Sequence, residues 1–355
     1  MKGNGLECPL EYLWGNAVTA PRNELDWRDM SKLNWAILGT GAIAKTFAKG
    51  LKVTDTGQLK AVGSRSQSTA DSFCSEYGGM GFSSYESAID RPEVDAVYIA
   101  LPHHMHAEYT IKCAQHGKHI LCEKPFALNA LEAERAMAAV RGADVFFMEA
   151  WMYRSHPQTA KIQELVSGGA IGKPLAAHAS FGYRARRDWD HFKADGRVGG
   201  GGLLDVGAYP VSFLRMIAGE EPNRCEYSCE FSDTGADSVG FGLLQFPSGF
   251  RATFGCAIHL TMANEATIFG EEGRIHVPEP WFCRGPILLI KDGKTEEVPF
   301  DSVPDLWGHQ AKVMQDHLEV RESPTMSWDD TMGNMRTLDA LRRSAGLTFA
   351  QEPTE

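Results

Sequence analysis

Short, continuous apolar runs mark the first half of the chain, and alternating runs joined by turn residues mark the second. Residues 34–38 read Asn-Trp-Ala-Ile-Leu, residues 96–101 Ala-Val-Tyr-Ile-Ala-Leu, residues 119–123 His-Ile-Leu-Cys-Glu and residues 145–150 Val-Phe-Phe-Met-Glu-Ala. Runs of this length without polar alternation suit strands buried on both faces. A further strand is expected at 58–63, with helical patterns leading to Leu51 and at 68–77, 107–115 and 129–140, and a short unit at 85–89. Strands alternating with helices over short loops predict a doubly wound parallel sheet, hence an α/β fold.

Beyond residue 150 the pattern changes. Pro157 suits the first turn of a helix to Val166 that Gly168 and Gly169 terminate, and a long strand is expected over 173–184. Three hairpins follow, pairing 243–246 with 250–258, 266–269 with 274–277, and 287–290 with 295–300, the last turned by Asp292-Gly293. Helices are expected at 309–320 and 328–345, the latter capped by Ser327 and ended by Gly346. The second half thus predicts an α+β domain with an open, mainly antiparallel sheet and a helix or two on one face. The expected division is an N-terminal arm (1–33), a dinucleotide-binding domain (34–150) and a substrate-binding and oligomerisation domain (151–355), two domains suiting 355 residues.

The first strand runs directly into Gly39-Thr40-Gly41-Ala42-Ile43-Ala44 and then a helical pattern. This is the dinucleotide fingerprint in its strand-turn-helix context. Gly39 permits the tight turn, Gly41 admits a pyrophosphate, Ala44 lets helix and sheet approach, and the amides from Ala42 and Ile43 onward face the anion. The second strand ends at Ser64-Arg65 with no carboxylate to meet a ribose 2′-hydroxyl. Arg65 could pair with a 2′-phosphate, so NADP is expected over NAD, with NAD possible.

The third strand ends in Leu101-Pro102-His103-His104-Met105-His106. Only His103 and His106 have useful ligand spacing and no acid or cysteine joins them, so no metal is expected; the loop is read as facing the nicotinamide. The fourth delivers Glu123-Lys124-Pro125 to the carboxyl end of a parallel strand, where open α/β sheets bind ligands. Pro125 keeps Lys124 out of the helical conformation. Residues 183–190, Tyr-Arg-Ala-Arg-Arg-Asp-Trp-Asp, could line a polar, aromatic pocket. After the glycine run 199–202, Asp205 and Tyr209 would share one helical face, although Pro210 demands a turn or a kinked start there.

Charge and cysteines narrow the partners. Lys plus Arg total 35 against 46 Asp plus Glu, a net charge of −11 that opposes nucleic acid and anionic membranes. The eight cysteines (Cys8, Cys74, Cys113, Cys122, Cys225, Cys229, Cys256, Cys283) are scattered, as in a reduced cytoplasmic protein. No apolar run is long enough to span a membrane. The acidic first thirty residues lack the apolar core of a secretory signal, and Met30 is a candidate functional start.

Taken together, the chain resembles the glucose-fructose oxidoreductase / inositol dehydrogenase (Gfo/Idh/MocA) family of NAD(P)-dependent oxidoreductases. The resemblance rests on the fingerprint at 39–44, Leu101-Pro102 with His106, residues 117–125, Met152-Tyr153-Arg154 with His156-Pro157, and Gly200 to Tyr209, all in order. The family commonly has Asn where this chain has His103, a departure that is similar to the dihydrodiol dehydrogenase branch. The resemblance implies cofactor contacts from Leu101, Pro102, His103, His106, Glu123, Lys124 and Arg154, and a homodimer or higher oligomer through the second sheet. It also implies hydride transfer to or from a secondary alcohol or ketone of a small sugar, cyclic polyol or diol.

Removing a hydroxyl proton as hydride leaves carbon requires a base, and free tyrosine titrates near 10. Tyr209 is expected to be the acid/base, with Lys124 lowering its pKa and bonding the substrate oxygen, and Asp205 orienting lysine or substrate. The alternative gives the proton to Lys124 itself. Outside enzymes, a nucleotide-sensing regulatory protein is the rival.

Overall fold

The computed structural model describes residues 32–186 and 191–349. Nearly all of the expected N-terminal arm, with Met30, lies outside the described residues, as do Arg187, Asp188, Trp189 and Asp190.

The first half alternates β1 (Leu33–Leu38), α1 (Ala42–Thr54), β2 (Gly57–Gly63), α2 (Gln67–Tyr77), β3 (Met80–Phe82), α3 (Tyr85–Ile89), β4 (Ala96–Ile99), α4 (His106–Gln115), β5 (His119–Glu123), α5 (Ala130–Ala143) and β6 (Phe147–Ala150). The six strands are parallel, in the order β3-β2-β1-β4-β5-β6. Helices cover both faces, which is why Trp35 to Leu38, Ala96 to Ile99 and Ile120 to Cys122 are fully buried. The strand order reverses between β1 and β4, opening a crevice beyond their carboxyl ends. Asn129 caps α5 by accepting from Glu132 N at 2.9 Å, while the Glu132 carboxylate accepts from Leu128 N at 3.3 Å.

The second half contains α6 (Pro157–Ser167), β7 (Pro174–Gly182), α7 (Ala208–Ala218), β8 (Arg224–Phe231), β9 (Asp237–Gln245), β10 (Arg251–Ala257), β11 (Glu265–Gly270), β12 (Arg274–Pro278), β13 (Ile287–Lys291), β14 (Lys294–Val298), α8 (Leu306–Asp316) and α9 (Trp328–Ser344). The eight strands run β14-β13-β12-β11-β7-β10-β9-β8, with only β7 and β10 parallel. The three expected hairpins form, and β8 adds a strand that the sequence reading does not anticipate. One sheet face packs on α7, with Phe181 against Tyr209. The other is open and carries a register row of Leu243, Thr253, His178, Thr267, His276 and Leu288, with Phe241 (55% exposed) and Phe269 two residues along their strands on the same face.

Two departures from the expected helices have local causes. The helix expected at 309–320 starts at Leu306, because Asp305 caps it through Trp307 N (2.9 Å) and Gly308 N (2.7 Å), and a separate 3₁₀ turn takes Leu318–Val320. Pro210 is accommodated by a π-helical turn, Leu203–Gly207, ahead of α7. The wider π turn does not require the bond to the Val206 carbonyl that proline cannot make in an α-helix. Helices α1 and α8 cross at two glycines: a Cβ on Gly308 would strike the Gly50 carbonyl oxygen and lie 2.6 Å from Thr54 Cγ2. Among the described residues, no helix is long and apolar enough to cross a membrane.

Candidate active site

The carboxyl ends of β1, β2, β4 and β5 bring most of the expected residues to one edge of the parallel sheet. Gly39 makes its turn at φ 101°, with no room for a side chain because a Cβ would lie 2.5 Å from the Ala100 carbonyl oxygen. Gly41 differs: nothing of the protein lies within 4 Å of where its Cβ would be. The fold itself does not require glycine there, and the space left suits a ligand lying on the backbone. Gly41 is also the N-cap of α1 and makes no side-chain cap, so the first amides of the helix, from Ala42 through Ala44, have no partner from a capping side chain. Ala44 is buried against the sheet. Ser64 and Arg65 follow β2, Ser64 buried and Arg65 exposed. These residues fit a dinucleotide.

Lys124 emerges from β5 into a buried ring of polar groups. Its Nζ donates to the Asp205 carbonyl oxygen at 2.5 Å, lies 3.7 Å from Asp205 Oδ1, and stands 4.8 Å from the centroid of the Tyr209 ring. Asp205, only 1% exposed, also accepts from the Tyr183 hydroxyl through Oδ2 at 2.7 Å and pairs through Oδ1 with Lys193 Nζ at 2.7 Å. Burial raises the proton affinity of Asp205, but Lys193, Lys124 and His103 outweigh it and hold the carboxyl below its usual range. Burial pushes Lys124 below its usual value; Asp205 opposes that shift and Lys193 adds to it.

Tyr209 joins this group with a different character from the one expected. The amine faces its ring rather than its hydroxyl, which points to Met152 Sδ at 3.5 Å. Burial, Glu123 and Asp205 push the phenol well above 10, so the expected lowering by Lys124 does not occur. Four other aromatic rings surround Tyr209, with centroids at 4.9 Å (Trp151), 5.2 Å (Phe181), 5.9 Å (Trp281) and 6.0 Å (Tyr153).

Several expected cofactor contacts face elsewhere. Both ring nitrogens of His106 lie against backbone carbonyls, Nδ1 2.7 Å from Pro125 O and Nε2 2.8 Å from Leu101 O. A neutral ring has one N–H, so His106 donates to one of these two carbonyls, and both its nitrogens face main chain rather than a cofactor. Burial lowers its pKa to about 4. His103 is likewise buried: its Nδ1 lies 3.1 Å from Gly199 O and its ring packs edge-on against Phe192. Leu101 and Pro102 keep their place at the end of β4. The Glu123 carboxylate turns back into the protein, accepting from the Tyr98 hydroxyl at 2.5 Å and from Lys124 N at 3.3 Å. Arg154 is displaced most clearly from its expected role. It donates to Thr325 O (3.1 Å), Ser212 Oγ (3.2 Å) and Asp330, joining a network with Arg215 and Glu221 that ties α7 to α9. A guanidinium committed to these acceptors is a structural brace.

Lys193 and the aromatic rings are functional candidates that sequence reasoning missed. Tyr183 does belong to the segment expected to line a pocket, and beyond it Arg184, Ala185, Arg186, His259 and Leu260 line a cavity of about 580 Å³. A second cavity, about 310 Å³, lies between His156, Phe282, Arg284 and Trp307. Among the described residues no three His, Cys, Asp or Glu side chains are grouped to hold a metal ion.

Residues 33–150 match the family model of the Gfo/Idh/MocA oxidoreductases with an NAD-binding Rossmann fold, and residues 159–276 match the family's C-terminal domain. The chain is 31% identical over 340 residues to the trans-1,2-dihydrobenzene-1,2-diol dehydrogenase of Mus musculus, covering 90% of this chain and 99% of that one. The Homo sapiens enzyme of the same name is 29% identical over 337 residues, again covering 90% and 99%. Among solved structures, a 3-ketoreductase from Actinomadura kijaniata, in complex with NADP and TDP-benzene, superposes with a TM-score of 0.82 at 24% identity, covering 88% of this chain and 98% of that one. An aldose-aldose oxidoreductase from Caulobacter crescentus, complexed with glycerol, superposes equally well at 24% identity, covering 89% and 98%, and shares the two-sheet fold. Both halves match in order and the relatives align over nearly their whole length, so the chain belongs to the Gfo/Idh/MocA family of NAD(P)-binding oxidoreductases.

Proposed function

We propose that this oxidoreductase interconverts a secondary alcohol and ketone on a small cyclic substrate, a vicinal ring diol, polyol or sugar, with NADP(H) as cofactor. Bound nicotinamide supplies the hydride acceptor. Gly39, Gly41 and the first amides of α1 would hold the pyrophosphate, and Arg65 with Ser64 the adenosine end; an exposed guanidinium with no neighbouring ribose-binding acid supports NADP. Residues 34–150 then serve the cofactor and 151–355 the substrate.

The observation that carries the reading is Lys124, whose buried amine is held at the end of β5 by Asp205 and faces the ring of Tyr209. As hydride leaves the carbinol carbon, the hydroxyl proton must pass to a base within reach. Lys124 suits this better than Tyr209, because burial favours neutral lysine and disfavours tyrosinate. Tyr209 and Phe181, which keep some exposure over the buried Trp151, Tyr153 and Trp281, would offer a ring substrate an apolar face. That feature and the names of the full-length relatives make cyclic vicinal diols the first substrates to try.

The test is a panel of cyclohexanediols, inositols and pyranoses with NADP and NAD, followed at the reduced-nicotinamide absorbance. Turnover of a ring diol with NADP, lost in Lys124→Met and kept in part in Tyr209→Phe, is expected. Cofactor binding without hydride transfer to or from any of these substrates would overturn the assignment. The free state of the seven described cysteines supports a cytoplasmic setting. The open face around Phe241 and Phe269 supports a homodimer, and Phe241→Asp should shift light-scattering mass toward monomer.

A further inference from the structure

We propose that Lys193 is a positioning residue of the active site: by occupying Asp205 Oδ1 it holds that carboxylate to a long contact with Lys124, leaving the shorter bond of the Lys124 amine on the Asp205 carbonyl and the amine turned toward Tyr209. This rests on the reading of Lys124 as the proton-transferring group.

The geometry is a competition for one buried acid. Tyr183 takes Oδ2 and Lys193 takes Oδ1, each at 2.7 Å, whereas Lys124 stands 3.7 Å from Oδ1. With its two oxygens engaged, the carboxylate offers Lys124 only a long contact, and the shorter bond goes to the main chain at 2.5 Å. Without Lys193, a buried Oδ1 would lose its nearest cation, and a buried charge left unpaired is costly. Lys124 is the cation next in reach.

Lys193 is built into this position. It lies in a 3₁₀ turn, Phe192–Ala194, whose N-cap His191 accepts from Lys193 N at 3.3 Å. Its carbonyl accepts from Gly201 N at 2.8 Å, and the Asp195 carbonyl accepts from Gly200 N at 2.9 Å. A Cβ on Gly200 would meet the Phe192 carbonyl oxygen, so the turn can lie directly on the glycine run that leads into the π turn bearing Asp205. The backbone that presents Lys193 is thus bonded to the backbone that presents its partner. The side chain is 33% exposed.

The charged and titratable groups around Lys124 are Asp205 on the π turn, Lys193 on the 3₁₀ turn, Glu123 on β5, Tyr209 on α7, and His103 and His106 after β4. Replacing Lys193 by methionine removes a like charge and frees a carboxylate, and both changes strengthen the hold of Lys124 on its proton.

The experiment titrates ¹³C-lysine-labelled, cofactor-free protein by NMR, with the Lys124 Cε resonance identified by its loss in Lys124→Arg. In Lys193→Met and Lys193→Gln the Lys124 midpoint should rise by about half a pH unit or more, and Lys193→Arg should restore it. The acid limb of kcat/KM for alcohol oxidation should rise by the same amount, so that activity lost near neutral pH returns at higher pH. An unmoved midpoint and limb in both folded variants, with Lys124→Met inactive, would overturn the role of Lys193 and leave that of Lys124 intact. Wild-type turnover by Lys124→Met would remove both.

Discussion

The glycine crossing between α1 and α8 yields a prediction whose sign can be worked from the structure. In Gly308→Ala the new methyl would lie 2.6 Å from Thr54 Cγ2 and 2.7 Å from the Gly50 carbonyl carbon. Carbon atoms in good contact sit about 3.5–4.0 Å apart, so the helices must separate by roughly 1 Å. The obstacle includes Gly50 backbone in a second helix and cannot swing aside. Overpacking of this kind costs about 1–3 kcal/mol, while alanine in place of glycine inside a helix returns up to about 1 kcal/mol. A net loss of about 1–2 kcal/mol is expected. Gly142→Ala in α5 is the control, because nothing lies within 4 Å of its Cβ position and only the propensity gain applies. In urea, with unchanged m-values, Gly308→Ala should unfold at lower denaturant than wild type and Gly142→Ala at the same or higher. Because α1 begins at the dinucleotide turn, Gly308→Ala should also weaken NADP binding. A Gly308→Ala midpoint equal to or above that of Gly142→Ala would refute the reasoning.

Three further outcomes follow from buried groups. Glu149 is fully buried and burial raises its carboxyl to about 7, so the native protein holds a proton that the unfolded chain sheds near its ordinary value of 4.5. Its contribution to stability is therefore present below pH 4.5 and lost as pH rises through 7. Wild type should lose on the order of 2–3 kcal/mol more than Glu149→Gln between pH 4 and 8, measured by urea midpoints; parallel curves would contradict this. Asp237 Oδ2 accepts from Leu203 N and the Tyr227 hydroxyl, each at 2.6 Å. Asp237→Ala leaves the buried Leu203 N–H unpaired at about 1–3 kcal/mol and Tyr227 with only Cys256 Sγ at 3.2 Å, and should lower kcat, because Leu203 opens the turn that carries Asp205. Ser327 accepts from Asp330 N at 3.1 Å, and Ser327→Ala should cost about 1 kcal/mol in a thermal or urea melt.

Local chemistry was enough to make the architecture legible. Trp35 to Leu38 and Ile120 to Cys122 are continuous apolar runs because their strands are buried on both faces. Gly39 could be read from its turn, the last hairpin from Asp292-Gly293, and α9 from Ser327 and Gly346. Each is a property of neighbouring residues, and neighbours are what a sequence displays. The meeting of Lys124, Asp205 and Tyr209 was expected only through family motifs. What those groups do to one another was decided in three dimensions. Whether Lys124 meets the hydroxyl or the face of Tyr209 depends on how the π turn seats α7 against β5. His106 and Arg154 look like ligand contacts in the sequence, yet the carbonyls and carboxylates packed around them consume their donors. Lys193 carries no motif, and its pairing with Asp205 arises because the glycine run lets one loop fold down on the next turn. Proton affinities in this site follow burial and the distances between charges, and both exist only once the chain has folded.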